Sequence, residues 1–181
     1  KAGAFPGCRV LAAKDGKVFY DKAFGYLDQS KINSVDINTV YDLASVTKVA
    51  STTRAIMKLY DQGKIELNDY LGKYVKRTIG TDKEYLRLKD ILMHQAGLKS
   101  WIPFYKETLD ETGYPKNEWY SSKPSKDFTN KICGNIYLRK DWEDTMWNRI
   151  LTSPLENRGK YVYSDLDFIF LQQVVESITK K

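Results

Sequence analysis

The chain has little of what metal centres and membrane spans require. It contains two cysteines and one histidine in 181 residues, with no Cys-x-x-Cys spacing. A site built from cysteine and histidine ligands therefore has almost no material, and we expect no metal in this protein. No apolar run approaches the roughly 18 residues of a transmembrane helix, so we also expect no membrane span.

The two cysteines, Cys8 and Cys133, lie far apart in the sequence. Either they pair in an oxidising compartment, or they are buried as small apolar side chains, and we favour burial. The sequence also opens without a methionine or a signal peptide, which suggests a mature or excised segment.

Basic residues are in excess, but they are dispersed. The formal net charge is +6, and lysine and arginine alternate with aspartate and glutamate along most of the chain. Dispersed charge of this kind is typical of a solvated surface, so we expect no nucleic-acid partner. Hydrophobic residues make up 42% of the chain, which is enough at this length for one globular domain with a core.

The first 38 residues are predicted to form strands. Residues 7–13 and 18–26 are apolar runs on either side of Asp15-Gly16, a dipeptide that favours a tight β-hairpin turn. We therefore assign residues 1–38 to the N-terminal strands of a sheet and residues 39–181 to a mainly helical region.

Beyond residue 39, apolar residues recur at three- and four-residue steps, which indicates helices. The periodic segments are residues 45–60, 86–94, 141–151 and 166–178, and residues 64–71 are predicted to be a short turn-and-helix piece. Residues 99–135 form a long aperiodic connection that is rich in aromatic side chains, among them Trp101 and Tyr105. Such a connection either lines a binding cleft or only covers the core, and the sequence favours neither.

One short motif suggests chemistry. Ser45 and Lys48 are three residues apart on a predicted helix, so the hydroxyl and the amine lie on the same face. A serine at a helix N-terminus has its own N–H free to stabilise an oxyanion, and a lysine beside it can assist proton transfer. The motif alone is weak, because Ser177 and Lys180 repeat it near the end of the chain.

The order of the motifs distinguishes Ser45 from Ser177. After the predicted hairpin come Leu43-Ala44-Ser45-Val46-Thr47-Lys48, then Ile91-Leu92-Met93-His94-Gln95-Ala96-Gly97-Leu98, then Tyr163-Ser164-Asp165. This order resembles the serine β-lactamase and penicillin-binding-protein superfamily, especially the class C β-lactamases and the related esterases and D-amino-acid peptidases. The resemblance runs from about Gly7 to the last residue, and it implies an α+β fold of the β-lactamase/transpeptidase type.

The resemblance implies an acyl-enzyme mechanism without a cofactor. Ser45 is the expected nucleophile, Lys48 its proton-handling partner, and Tyr163 the general base or a member of a shared proton relay. A free tyrosine has a pKa of about 10, so Tyr163 needs a nearby ammonium to act at neutral pH. The lone histidine, His94, is expected to be chiefly structural. The expected substrate-binding residues are Asp165, Trp101 and Tyr105.

One departure from the family pattern bears on the substrate. Asp165 stands where the family has asparagine, and an ionised aspartate cannot donate a hydrogen bond to an acylamide carbonyl. We expect Asp165 to pair with Lys48 instead, which keeps Lys48 protonated and weakens it as a base. Simple esters or other acyl compounds are therefore expected to be better substrates than β-lactams.

A second departure concerns completeness. The family's third motif, Lys/His-Thr/Ser-Gly on a late strand, is absent, and Glu111-Thr112-Gly113 is rejected because it precedes Tyr163 in a predicted loop. We therefore expect a truncated domain that lacks the late sheet strands and the second oxyanion donor, and that is inactive by itself. The sheet edge that this truncation exposes is expected to favour self-association.

Two alternatives stay open. One is a non-catalytic domain that binds cell-wall peptide or glycan through the aromatic connection. The other follows from Phe5-Pro6-Gly7, Tyr41-Asp42-Leu43-Ala44-Ser45 and Tyr163-Ser164-Asp165, which also resemble hydrolase domains fused behind family-3 β-N-acetylglucosaminidases of Bacteroides-type bacteria. The chain is then part of a larger glycoside hydrolase. The expected partners are a small acyl substrate or a cell-wall peptide, and the resemblance implies export to the bacterial periplasm or cell envelope.

Overall fold

The computed structural model describes residues 3–180, which form two compact units. The first unit ends at Ala44 and the second begins at Ser45. The sequence-based boundary between residues 38 and 39 lies shortly before this division.

The first unit contains the predicted hairpin. Strands β1 (Gly7–Lys14) and β2 (Lys17–Gly25) pair antiparallel. The turn residues Asp15 and Gly16 have φ values of 49° and 74°. Positive φ at both central residues is what a type I′ turn requires, and Asp-Gly supplies it at little steric cost. The hairpin prediction is confirmed.

The second unit opens with a helix that changes character along its length. Helical backbone begins at Val46, passes through a π-helical segment at Lys48–Thr52, and continues as α1 (Thr53–Asp61). Gly63 follows the helix with a φ of 65°, so it provides the expected C-terminal stop. The predicted helix is confirmed, although its first turns are not α-helical.

Two other predicted helices are shorter than expected. Residues 64–71 contribute only the start of a 3₁₀ turn at Leu71–Lys73, and residues 86–94 contain the short helix α2 (Leu88–Leu92). The reason is a backbone pairing between these segments, in which the Leu71 N–H donates to the Leu86 carbonyl at 2.8 Å. Because the pairing takes up backbone groups that longer helices would use, both helices are curtailed. Another 3₁₀ turn lies at Lys76–Thr78.

The last two helices confirm the sequence-based assignment and complete the core. They are α3 (Trp142–Thr152) and α4 (Asp165–Thr179), and α4 contacts the π-helical segment, α1 and α2. Its completely buried residues pack against apolar side chains of the other helices. The buried core of the second unit includes Ile56, Leu59, Ile91, Trp147, Ile150, Phe170, Leu171 and Val174.

The aromatic connection is more structured than its aperiodic sequence predicts. It holds a 3₁₀ turn at Phe104–Thr108, and beyond it a sheet of order β3-β5-β4. These strands are β3 (Tyr120–Ser121), β4 (Asn130–Cys133) and β5 (Ile136–Leu138). Strands this short cannot show a period of two, so the sequence prediction missed the sheet.

Both cysteines are unpaired, and neither is buried. Cys8 is half-buried on β1, and Cys133 is exposed on β4. The expectation that they are buried apolar side chains is therefore wrong, because each lies on a small sheet that is largely open to solvent. Among residues 3–180, no helix combines the length and the apolar character needed to cross a membrane.

Candidate active site

The Ser45 hydroxyl and the Lys48 ammonium lie together at the start of the second unit. Lys48 Nζ donates a hydrogen bond to Ser45 Oγ at 3.0 Å. The backbone of the same turn is closed by the Lys48 N–H, which donates to the Ser45 carbonyl at 3.1 Å. The residue before the turn, Ala44, has a φ of 42°. A left-handed conformation is costly for alanine, and such strain is concentrated at functional sites in proteins.

Lys48 also pairs with Asp165 on the first turn of α4. The distance from Lys48 Nζ to Asp165 Oδ1 is 2.7 Å, and the Lys48 side chain is only 16% exposed. Burial lowers the pKa of Lys48, but the hydrogen bonds with Asp165 and Tyr163 outweigh it, so that the pKa is raised overall. Lys48 is therefore an ammonium at neutral pH, as expected from the pairing with Asp165.

Tyr163 faces the same ammonium. Lys48 Nζ lies 5.2 Å from the centre of the Tyr163 ring and 5.9 Å from that of Phe168. Hydrogen bonding with Ser45, followed by that with Lys48, lowers the pKa of the Tyr163 phenol below its ordinary value. The structure thus brings Ser45, Lys48, Tyr163 and Asp165 into one group, although more than a hundred residues separate the two pairs.

The tyrosine segment is fixed by hydrogen bonds with Ser100, which follows shortly after His94. Ser100 Oγ donates to the Tyr163 carbonyl at 2.7 Å, and the Asp165 N–H donates to the Ser100 carbonyl at 2.7 Å. The buried Ser164 side chain accepts hydrogen bonds from the N–H groups of Leu166 and Asp167, and so caps α4. The cap starts the helix directly after Tyr163 and Ser164.

His94 lies behind Tyr163 rather than beside Ser45. Its backbone is left-handed, with a φ of 56°, and its carbonyl accepts from the Val162 N–H at 2.8 Å. Its imidazole packs 4.7 Å from the Tyr163 ring, and its Nδ1 lies 2.7 Å from Asp167 Oδ2. Burial lowers the pKa of His94, with a smaller contribution from Lys48. This position suits the structural role that the sequence analysis assigned to it.

The two aromatic residues predicted to bind substrate are exposed. Trp101 and Tyr105 are 53% and 52% exposed, and Trp101 directly follows the Ser100 that fixes the tyrosine segment. Tyr105 lies on the 3₁₀ turn at Phe104–Thr108. Within residues 3–180, no hydrogen bond or aromatic contact links either side chain to Ser45 or Lys48.

The second Ser-x-x-Lys sequence has a different setting. Ser177 Oγ donates to the Val174 carbonyl at 2.8 Å within α4, so its hydroxyl is used by its own helix. Lys180 follows the end of α4 with a left-handed φ of 60°. The two serines therefore differ in their surroundings, since the Ser45 hydroxyl meets Lys48 and the Ser177 hydroxyl is held by its own helix.

Three residues that contact or support this group were not predicted from the sequence. They are Ser100, Asp167 and Phe168. Asp167 had a usable signal, since it is an acidic residue on the otherwise apolar run of a predicted helix. Ser100 had none, because its role depends on contacts with residues more than 60 positions away.

The arrangement has the parts of a nucleophilic site. It contains a primary hydroxyl, a fixed positive charge beside it, and a phenol whose pKa is lowered by both. A lowered phenol pKa beside a hydroxyl and an ammonium is the combination that proton transfer from the hydroxyl requires.

Comparison with known proteins gives a consistent result. The sequence profile described as Beta-lactamase matches residues 1–181. A protein of Salmonella gallinarum, provisionally named a D-alanyl-D-alanine carboxypeptidase, is 32% identical over 192 residues. The match covers 97% of this chain and 38% of the Salmonella protein, so this chain spans well under half the length of that relative.

Solved structures share the fold. The octameric penicillin-binding protein homologue from Pyrococcus abyssi superposes with a TM-score of 0.66 at 23% identity, over 97% of this chain and 36% of that protein. A class C beta lactamase from Rhodobacter sphaeroides gives a TM-score of 0.62 at 16% identity, over 96% of this chain and 40% of the other. The fold is therefore the β-lactamase/transpeptidase-like α+β fold that the sequence predicted.

Proposed function

This chain belongs to the Beta-lactamase family, and from that premise we propose that it carries the acylation site of a serine hydrolase. The proposed substrates are esters or amides of small acyl groups, or cell-wall peptides. The observation that supports this best is the 3.0 Å approach of Lys48 Nζ to Ser45 Oγ. Because the chain spans 38% of its Salmonella relative, the activity of the whole protein is part of the proposal.

The proposed reaction has two stages. Ser45 Oγ attacks the acyl carbonyl carbon, and its proton passes to Tyr163. The tetrahedral intermediate then collapses as the leaving alcohol or amine takes that proton, and the acyl group stays on Ser45. Water attacks the same carbonyl in the second stage, passes a proton to Tyr163, and releases the acid as Ser45 regains its proton.

Lys48 serves in this reaction as a fixed charge rather than as the base. Its pairing with Asp165 at 2.7 Å keeps it protonated, and an ammonium cannot accept the serine proton. It donates to Ser45 Oγ, which leaves the serine hydrogen free to point towards Tyr163. The same charge favours the phenolate form of Tyr163, and so suits that residue to act as the base.

A covalent probe tests the proposal. We expect a fluorophosphonate to label the whole protein on Ser45, as mapped by mass spectrometry, and Ser45→Ala to abolish the label. Ser177→Ala is the matched control, because it removes the serine of the other Ser-x-x-Lys sequence, and it should be labelled like the wild type. Tyr163→Phe should slow labelling by about 10²–10⁴-fold, the usual contribution of a general base.

The opposite outcome is equally well defined. If the whole protein resists the probe but binds a cell-wall peptide or glycan tightly, the hydrolase proposal is wrong and a binding domain takes its place. Labelling that survives Ser45→Ala would place the nucleophile elsewhere.

A further inference from the structure

Two polar groups converge on one buried nitrogen of His94, behind Tyr163. His94 is 9% exposed and Asp167 is 1% exposed. The Asp167 Oδ2 atom lies 2.7 Å from His94 Nδ1, and the backbone N–H of Ser164 donates to the same Nδ1 at 3.2 Å. The place of the hydrogens is therefore restricted by the geometry of the cluster.

The Ser164 N–H makes Nδ1 an acceptor. A hydrogen on Nδ1 would meet the hydrogen of that N–H, so Nδ1 carries its lone pair and the neutral imidazole keeps its hydrogen on Nε2. A distance of 2.7 Å from this lone pair to Oδ2 then calls for a hydrogen between them, because two lone pairs repel each other. Apart from the imidazole itself, the group that can supply it is the Asp167 carboxyl, whose O–H then shares the single Nδ1 lone pair with the longer Ser164 N–H contact at 3.2 Å.

The surroundings of Asp167 agree with a neutral carboxyl. Its other oxygen, Oδ1, is buried without a hydrogen-bond partner among residues 3–180. A bare buried oxygen costs far more in a carboxylate than in a carboxylic acid. Burial also raises the pKa of Asp167 to about 8.

The groups around His94 are of both signs. Burial has the largest effect on the pKa of His94 and lowers it. Of the charged pair, Lys48 lowers this pKa further, whereas Asp165 raises it. Two tyrosines, Tyr161 and Tyr163, pack their rings 5.8 Å and 4.7 Å from the imidazole. A neutral His94 adds no further positive charge beside Lys48.

We propose that Asp167 is a carboxylic acid which donates its hydrogen to His94 Nδ1, and that this neutral pair positions Tyr163. His94 holds the tyrosine segment on both sides. Its carbonyl accepts from the Val162 N–H at 2.8 Å, and its Nδ1 accepts from the Ser164 N–H. The positioning role rests on the proposed function, whereas the protonation state is a property of the folded protein alone.

The protonation state is measured on the wild-type chain by nitrogen-15 NMR. Since the chain has a single histidine, its imidazole signals need no assignment by mutation. We expect a neutral ring at neutral pH, with hydrogen on Nε2 and an unprotonated Nδ1. An imidazolium, or a ring with its hydrogen on Nδ1, would overturn the proposal.

Two variants test the donor. Asp167→Asn keeps an N–H that can donate to Nδ1 but cannot ionise, while Asp167→Leu keeps the bulk and loses the donor. We expect Asp167→Asn to react with the fluorophosphonate at a rate within about threefold of wild type, and Asp167→Leu to react at least about tenfold more slowly, the equivalent of one lost hydrogen bond. Equal loss in both variants would contradict the role of Asp167 as a hydrogen-bond donor to His94.

The pH dependence of unfolding provides a readout that packing alone would not change. A carboxyl with a pKa raised on folding stabilises the folded state fully below its unfolded pKa of 3.8, and this stabilisation is lost as the pH rises to about 8. The unfolding constant of wild type, divided by that of Asp167→Asn, should therefore rise by up to about tenfold per pH unit in this window. A flat or falling ratio would contradict the proposal.

The two proposals fail separately. If Ser45 is not labelled but the NMR and the pH ratio are as expected, the hydrolase function is wrong and the neutral pair stands. If Asp167→Leu does not fold, two measurements still decide the protonation state. They are the NMR of the wild type and the pH dependence of the ratio of unfolding constants of wild type and Asp167→Asn. Should the ring prove neutral while Asp167→Leu reacts at the wild-type rate, the positioning role is wrong.

Discussion

Lys48 contacts the Ser45 hydroxyl on one side and a carboxylate on the other. Its Nζ lies 3.0 Å from Ser45 Oγ and 2.7 Å from Asp165 Oδ1. An asparagine at position 165 would leave the ammonium uncompensated and would offer an N–H to a substrate carbonyl. The identity of residue 165 therefore influences the protonation of Lys48 and, under the proposed function, the type of acyl group that the site would accept.

We predict that Asp165→Asn shifts substrate preference towards β-lactams. Wild type should hydrolyse a short-chain aryl ester faster than a β-lactam reporter, and the variant should raise the β-lactam to ester ratio of kcat/KM by about tenfold, the equivalent of one added hydrogen bond. Removing the carboxylate also lowers the pKa of Lys48 and Tyr163, so the acid limb of the pH–rate profile should move to lower pH.

The matched control is Asp165→Ala, which removes the charge without adding a donor. It should move the acid limb as Asp165→Asn does, but leave the substrate ratio near that of wild type. If the purified whole protein already hydrolyses the β-lactam reporter faster than the ester, the interpretation of Asp165 is wrong.

At the scale of elements, the start of α4 organises the site. Its first turn carries three residues that contact the site. Asp165 and Phe168 contact Lys48, and Asp167 contacts His94. The turn begins where it does because Ser164 caps it and also donates to the Lys99 carbonyl at 2.5 Å. Acidic residues in a first helical turn also interact favourably with the helix dipole.

We predict that Ser164→Ala destabilises the protein by about 1–3 kcal/mol. The change removes a helix cap and leaves buried N–H groups without an acceptor. Urea unfolding measures the effect. Ser177→Ala on the same helix is the control, because its hydroxyl only adds a bond to the Val174 carbonyl, and it should change stability by no more than about 0.5 kcal/mol. Equal effects of the two substitutions would contradict the role of Ser164 as a buried cap.

At the scale of the whole molecule, the first unit has a small sheet with little buried apolar surface. Its sheet has two strands, and apolar side chains on the strands are exposed. They include Val10, Leu11, Val18, Phe19 and Phe24. A two-stranded sheet leaves an outer edge on each strand, and exposed apolar strands with free edges favour pairing with another chain.

We predict that this chain self-associates through the hairpin. Its apparent size in size-exclusion chromatography should fall on dilution, and Phe19→Lys, at a side chain 71% exposed, should shift it towards the monomer at the same concentration. Ser122→Lys adds the same charge at an exposed position of the other unit, and should leave the size unchanged. An apparent size that is constant across the dilution series would refute the prediction.

Local chemistry explains which elements were predictable. The hairpin follows from Asp15-Gly16, and α3 and α4 follow from apolar periodicity over long segments. The small sheet of β3, β4 and β5 was missed because its strands are too short to show a pattern. The helix predicted over residues 86–94 was too long, since the pairing of Tyr70 with Arg87 holds its first residues extended.

The sequence by itself determined the hairpin and the family, because these depend on turn chemistry and on the order of motifs. Only the tertiary structure decided the state of Lys48 and the environment of His94. Lys48 meets Asp165 across 117 residues, and His94 meets Asp167 across 73. Charge and protonation depend on burial and on partners brought together by the fold, so a pattern of neighbouring residues does not determine them.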